Sequence, residues 1–258
     1  MVTDLTGRHM RFVVVTTRVL VLAAFVLLLE VLTQSGSIDQ TIMPPPSELP
    51  DSVWNTIQTT QFADDLVRTL SEVGLAVAIG AAAGVVLGVL SWRVPLFGQA
   101  VEPYLVTLYA VPTLVFYPIL LAIMGLGSGP IVAITSVMVV VPVALNTMVG
   151  LRDVSPTLVK LSRSVSCTPR QMYWKVLFPA ATPLVMAGLK LGVMYGIVGT
   201  IAMEFMLADR GLGFRIGNDY LNFAMLDMWT NIVIVIAFAT LVVWLLGLVE
   251  RRVRRDMV

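Results

Sequence analysis

Six apolar runs, each long enough to cross a bilayer, constrain this chain more than any other feature of its sequence. They fall at about 13–32, 66–90, 101–124, 131–151, 184–206 and 230–248. A crossing takes ~20 apolar residues at the helical rise. Composition agrees: 57% of the 258 residues are hydrophobic and 13% are charged. A soluble globular chain is nearer to half apolar and about a quarter charged. The mean hydropathy is +0.89. The expected fold is all-α and polytopic, a single transmembrane domain over 1–258 with about six spans. The first run follows Arg8 and Arg11 and is longer than the apolar region of a cleavable signal. It reads as a retained anchor, although the small residues Ser35-Gly36-Ser37 follow it.

Several chemistries have no residues to carry them. Cys167 is the only cysteine, which rules out an internal disulfide, and His9 is the only histidine. No Cys/His metal cluster and no Ser/His/Asp or Cys/His nucleophile set can be built from that inventory. No Gly-rich phosphate loop ending in Lys-Ser or Lys-Thr is present. The formal net charge of +1 offers no global field for nucleic acid. The expectation is a chain that is not an enzyme and holds no cofactor or metal of its own.

The segments between the runs differ in charge. Residues 35–65 carry Asp39, Glu48, Asp51, Asp64 and Asp65 around Pro44-Pro45-Pro46, and are placed outside the membrane with a short helix beginning at Pro50-Asp51. Residues 207–227 hold Asp209, Asp219 and Asp227 beside Arg210 and Arg215, and read as an outer loop, partly re-entrant. Arg93, Arg152, Lys160, Arg163, Arg170, Lys175 and the arginines of the 249–258 tail all fall on the opposite side if there are six spans. Lysine and arginine collect in cytoplasmic loops. Both termini and the basic segment are therefore expected in the cytoplasm.

Within the spans, Gly80, Gly84 and Gly88 recur every four residues, as do Gly188, Gly192 and Gly196. Such small-xxx-small faces let helices approach closely. Arg68 and Glu72 stand at i,i+4 spacing and can pair. The third span contains Tyr109, Pro112, Thr113, Tyr117 and Pro118. Prolines leave carbonyls without partners, which is tolerated where a helix is buried or lines a wet cavity. Tyr109, Thr113, Tyr117, Asn146 and Glu204 are therefore candidates for a solute path, with a kinked packing helix as the plainer reading of the third span. Lys190 is expected to reach the inner interface or the basic segment. Glu204 is expected near the outer end of its span, where an intramembrane acid is a functional candidate.

Residues 151–183 form the longest basic interruption. Ser155-Pro156 is an N-cap followed by proline at the first helical position. Thr168-Pro169-Arg170-Gln171 repeats that signal and adds a capping box. Pro179 and Pro183 are expected to limit the second helix. Two short helices meeting at a membrane surface follow, offered to a partner.

These residues carry a resemblance. Ala144-Leu145-Asn146-Thr147 with Gly150-Leu151-Arg152, Ala187-Gly188-Leu189-Lys190, Ala202-Met203-Glu204, Ala110-Val111-Pro112 and Gly211-Leu212-Gly213 are similar to the permease subunits of binding-protein-dependent ABC importers of the nitrate/sulfonate/taurine group. The likeness runs from about Pro44 to the C-terminus. Family members carry a cytoplasmic loop of the form Glu-Ala-Ala, three residues, Gly, nine residues, Ile-x-Leu-Pro. Here Lys160, Leu161 and Ser162 fall at Glu-Ala-Ala, Ser166 at the glycine, and Val176-Leu177-Phe178-Pro179 at the ending. The resemblance implies a type I permease fold. It makes Val159, Lys160, Leu161, Ser162, Arg163, Ser164, Val165 and Ser166 a coupling helix for an ATP-binding cassette ATPase dimer, with ATP and magnesium on that partner. It also implies a periplasmic or lipid-anchored solute-binding protein, a second permease subunit (a homodimer being expected), membrane lipid around them, and a small organic anion such as a sulfonate as the solute. Lys160 reverses the motif's charge. Ser166 means either that no positive φ is needed there or that the helix end carries its cost.

Two other readings stand beside this one. A gradient-driven transporter would use Lys190 and Glu204 as titrating groups, but it predicts inverted repeats and midplane carboxylates, which the sequence does not display. A non-transporting membrane scaffold would use the basic segment to hold a cytosolic protein, and predicts no solute path.

Overall fold

The computed structural model describes residues 2–111 and 113–255. Among these residues every regular element is helical. Helix α1 (Val2–Gln34) is followed by a 3₁₀ turn at Pro46–Glu48 and the short α2 (Leu49–Ile57). Helix α3 (Thr60–Arg93) is capped by Thr59, whose hydroxyl accepts from the Phe62 amide. Its 34 residues extend about 51 Å at the helical rise, well beyond a hydrocarbon core of about 30 Å. Its first turns therefore stand clear of the lipid interior. Helix α4 (Pro95–Ala110), a 3₁₀ turn at Thr113–Phe116 and α5 (Tyr117–Met124) make a helix pair bent by 93° at its break. Pro112, one of the prolines singled out there, lies outside the described residues. Among the described residues five helices are long and apolar enough to cross a membrane, and six if the bent pair is one span.

Helix α6 (Ser128–Arg152) is the centre of the bundle: 61% of its span is buried, against 6% for α1 and 11% for the last helix, α11 (Met225–Arg255). Two glycine ladders close on it. A Cβ at Gly80, Gly84 or Gly88 of α3 would fall 2.5–2.7 Å from the Cβ of Val139, Val143 or Thr147. The helices run parallel there, in register over three turns. From the other side, Gly188 meets the Asn146 Cβ, Gly192 meets Val143, and Gly196 meets Val77 and Val139. Those glycines belong to α9 (Phe178–Leu207), which runs antiparallel. Val139 and Val143 thus fill the gap between both ladders. No larger residue fits without parting the backbones.

Between α6 and α9 lie α7 (Pro156–Ser164), α8 (Pro169–Met172) and a π-helical turn at Tyr173–Leu177. The second helix does not stop at its prolines. A proline ring normally crowds the carbonyl four residues back. The π-turn directly before Pro179 widens the ladder, so that the Phe178 amide bonds the Tyr173 carbonyl. One continuous helical rod then runs from Pro169 to Met206, with Pro183 inside it. The fifth span thus begins well before 184. The residues from 207 to 227 are not all loop: they hold a ten-residue helix, α10 (Leu212–Leu221).

At the periphery, the Glu30 carboxylate of α1 accepts from the Ser47 amide and hydroxyl at 2.9 and 2.8 Å. The Trp229 indole donates to the Ile42 carbonyl at 3.0 Å, and the Thr230 and Ser52 hydroxyls meet at 2.8 Å. These contacts tie the 35–57 segment across the tops of α1 and α11.

Candidate functional site

The most ordered polar constellation lies where the first turns of α3, the last turn of α9 and the start of α10 converge. Glu204 is fully buried, at 0% exposure. The Thr69 hydroxyl sits 2.7 and 2.9 Å from its two oxygens, and the Gly213 amide donates to Oε2 at 2.9 Å. The Leu212 amide donates to Thr69 Oγ1 at 2.9 Å. The Gly211 amide donates to Asp65 at 3.0 Å, and Arg215 pairs with the other oxygen of Asp65 at 3.1 Å. Three successive amides at the head of α10 are thereby satisfied by α3 and α9. An acid suits that place, because helix N-terminal amides are unpaired donors at the positive end of the dipole.

The backbone there requires glycine. Gly211 has φ +112°, and a Cβ on it would meet the Glu204 carboxylate at 2.3 Å. A Cβ on Gly213 would meet the Ile201 carbonyl at 2.3 Å. One turn further along α3, Glu72 accepts from Arg68 at 2.5 Å and from the Ser128 hydroxyl at 2.6 Å, which joins the head of α6 to the same cluster. Glu204 is thus enclosed by protein within the subunit.

The other path candidates separate. Tyr109 bonds the Tyr195 hydroxyl at 2.9 Å, with the rings edge to face at 5.5 Å. The two tyrosines and Thr113 line a cleft of about 230 Å³ with Leu108, Leu114 and Met138. Tyr195 had no signal in the sequence beyond its place on the glycine-rich α9. Tyr117 is 2% exposed and packs with Ile131, Ile134 and Met203, so it does not face that cleft. Asn146 turns its amide back onto the Pro142 carbonyl at 2.8 Å. Lys190 pairs with Glu250 of α11 at 3.4 Å rather than reaching the basic segment.

At the other end of the rod, α7 rests on a cluster of Leu151, Val154, Leu177, Ala181 and Val185 through Val159, with Ser162 buried beneath it. Lys160, Arg163, Ser164 and Ser166 are exposed, and so are the apolar Leu158, Leu161 (60%) and Val165. Both caps form: Ser155 accepts from the Thr157 amide, and Thr168 and Gln171 make a reciprocal capping box. Ser166 has φ +52°. Its amide bonds the Arg163 carbonyl and the Cys167 amide bonds the Ser162 carbonyl, both at 3.0 Å. This is a Schellman ending with serine where glycine is usual. A positive φ is therefore required at this position.

The chain is similar to known proteins. A family model described as "Binding-protein-dependent transport system inner membrane component" matches residues 62–255. The chain is 24% identical over 184 residues to the taurine transport system permease protein TauC of Escherichia coli (strain K12), covering 69% of this chain and 67% of TauC. It is 26% identical over 155 residues to the nitrate import permease protein NrtB of Synechocystis, covering 60% of this chain and 56% of NrtB. The fold is shared with the MetNI methionine ABC transporter in an inward-facing form, with a TM-score of 0.63 over 77% of this chain and 96% of that one, at 20% identity. A multi-pass membrane bundle, matched over most of its length by that family model, belongs to the permeases of binding-protein-dependent ABC import systems.

Proposed function

We propose that this chain forms the solute path of an ABC importer, with a cassette ATPase docking on α7 and an extracytoplasmic solute-binding protein engaging the end that bears α10. The observation that carries this reading is the rod from Pro169 to Met206. Its start packs beside α7, which carries the exposed Leu161 and Arg163, and its other end holds Glu204, whose carboxylate binds the head of α10. At the helical rise, its 38 residues extend about 57 Å, longer than the bilayer core. A displacement of α7 reaches the rod through the 165–168 turn and the packing of Val159 on the cluster that holds Leu177, and then passes along the rod without a break in the helix. Cassette closure does work only if it favours one permease state over another. The clamp gives α10 two neighbours, α3 and α9, whose relative position it can report.

In this reading both termini and α7 face the cytoplasm, as the distribution of arginine and lysine favours. A second permease subunit, a like copy, completes the path. The relatives' names include taurine and nitrate, and a small anion leads as solute, with a sulfonate as the organic case. The Tyr109–Tyr195 cleft offers hydroxyl groups to such a solute.

The test is ATP hydrolysis by the complex purified from native membranes and reconstituted in vesicles. Leu161→Asp with Arg163→Glu is expected to reduce stimulated hydrolysis at least about tenfold, since truncated or reversed interface anchors commonly cost more than ~1.4 kcal/mol. Full stimulation in that variant, or a native complex with no ATPase, would sink the assignment.

A further inference from the structure

Beside α7 lies a groove that the transport reading leaves unused. It is bounded by the last turn of α3 on one side and by α8 and the π-turn on the other, with Trp92, Arg93, Arg170 and Trp174 around an apolar floor that includes Met172 and Leu177. Its volume is about 560 Å³. The walls are aromatic and mutually packed: Trp92 and Tyr173 have centroids 6.1 Å apart, and Tyr173 and Trp174 meet edge to face at 5.2 Å. The π-turn places Trp174 outward, at 59% exposure. Such turns are often retained where function needs a side chain re-aimed.

Charge sets this groove apart from an ordinary lipid-facing crevice. Arg152 and Lys190, at the same end of the bundle, each have an acidic partner, Glu102 and Glu250. Among the described residues no ion pair involves Arg93 or Arg170. Arg93 is the last residue of a helix whose preceding turns are apolar span, and so marks the level of the membrane boundary. Tryptophan at that level prefers the headgroup region. Two guanidinium groups over an apolar floor match a phosphodiester that carries acyl chains, because guanidinium binds phosphate through paired N–H donors.

We propose that this groove binds the headgroup of an anionic phospholipid, held by Arg93 and Arg170 between Trp92 and Trp174, with its acyl chains leaving over Met172 and Leu177. The lipid would lie against the start of the Pro169–Met206 rod, next to α7. The proposal rests on the membrane fold alone and stands or falls separately from the assignment of the motor.

Native mass spectrometry of the full-length chain in detergent tests it, with phosphatidylglycerol and phosphatidylcholine of identical acyl chains as probes. The unaltered chain is expected to retain phosphatidylglycerol about tenfold more strongly. Arg93→Gln with Arg170→Gln should abolish that preference while leaving phosphatidylcholine retention unchanged. Arg93→Lys with Arg170→Lys should keep part of it, and Lys175→Gln, an exposed cation outside the groove, should keep all of it. Millimolar inorganic phosphate should fail to displace the lipid, since it cannot cover the apolar floor. Equal retention of the two lipids by the unaltered chain overturns the proposal. So does a preference that survives the double glutamine variant, or displacement by inorganic phosphate.

Discussion

The Thr69 hydroxyl lies 2.7 and 2.9 Å from the two carboxylate oxygens of Glu204, a residue 135 positions away, and accepts the Leu212 amide at 2.9 Å. One side chain thereby links three helices. Thr69 is itself fully buried. Thr69→Val keeps the shape and removes the hydroxyl, leaving a carboxylate short of a donor and an amide short of an acceptor. The expected loss is about 1–3 kcal/mol, the usual cost of a buried unsatisfied group. Thr69→Ser should restore most of it. Thermal unfolding of the detergent-purified chain, followed by size-exclusion fluorescence, measures both. Equal behaviour of the valine and serine variants would remove the hydroxyl from the account.

Glycine at 211 is required twice over, by its φ of +112° and by the Glu204 carboxylate 2.3 Å from the position of a Cβ. Gly211→Ala should therefore destabilise more than the ~1–2 kcal/mol of a left-handed backbone penalty alone. Gly74 supplies the contrast. It lies within α3, and a Cβ there meets nothing within 4 Å. Gly74→Ala should leave the fold intact and raise stability by up to ~1 kcal/mol through helix propensity. The two alanine variants are expected to move the unfolding midpoint in opposite directions.

The glycine ladders predict a graded series along α3. Gly84 has the Val143 Cβ at 2.7 Å and the Val140 carbonyl at 2.9 Å from the position of its missing Cβ. Gly84→Leu should abolish accumulation of folded protein in membranes, and Gly84→Ala should lower it several-fold. Val143→Ala, paired with Gly84→Ala, should recover part of the loss, because it removes the Val143 Cγ1 methyl 2.9 Å from the new Cβ, while the Val143 Cβ and the Val140 carbonyl stay in its way. Non-additivity in that cycle is the expected signature of direct contact.

The spans were legible because bilayer thickness imposes a length on every crossing, and apolar length is a property of contiguous sequence. The capped helix starts at Ser155 and Thr168 were legible for a similar reason: each is written in a few adjacent residues. A four-residue glycine spacing names a face of a helix but not its partner. That Gly80 meets Val139, and that Gly192 meets Val139 and Val143, depends on a third helix at another place in the chain. Thr69 was invisible for the same reason, since a threonine in an apolar helix reads as neutral until Glu204 and Leu212 arrive beside it. The π-turn was missed because Pro179 usually ends a helix, and the compensation lies in backbone geometry with no residue signature. The sequence offers Lys190 either the inner interface or the basic segment, and does not name a partner at either. Glu250 on α11 intercepts it, and a lysine cannot announce which acid lies nearest in the fold.

Asp219, on α10, gives that end of the bundle a pH dependence. Burial raises its carboxyl above the ordinary range and Asp227 adds to the rise, while the hydrogen bond from Asn231 at 2.7 Å and the charge of Arg215 act against it. The folded state thus holds this proton more tightly than the unfolded chain. Stability contributed by the protonated form is fully present below the unfolded value, about 3.9. It is lost as pH rises through the folded value, and level thereafter. Asp219→Asn should flatten that part of the profile and stabilise the chain at neutral pH, since the amide oxygen still accepts from Asn231. Unfolding midpoints measured from pH 4 to pH 8 check both the sign and the window.

Ser166 yields the sharpest test of the altered loop. Its φ of +52° places an L side chain in the left-handed region, and the paired 3.0 Å bonds from Ser166 to Arg163 and from Cys167 to Ser162 hold it there. Left-handed backbone costs a residue with a Cβ roughly 1–2 kcal/mol. Ser166→Gly should remove most of that cost. It also frees the unfolded chain, an entropic effect of about 0.4–1 kcal/mol in the opposite direction. A net gain of somewhat under ~1 kcal/mol is expected, confined to the end of α7. Hydrogen exchange at Ser166 and Cys167 should slow in the glycine variant, with no change at Thr69 or Gly213. Ser166→Val, with a β-branched side chain at the same φ, should speed exchange at those two amides and raise proteolysis between α7 and α8. If glycine and valine shift exchange in the same direction, backbone strain is not what distinguishes this turn.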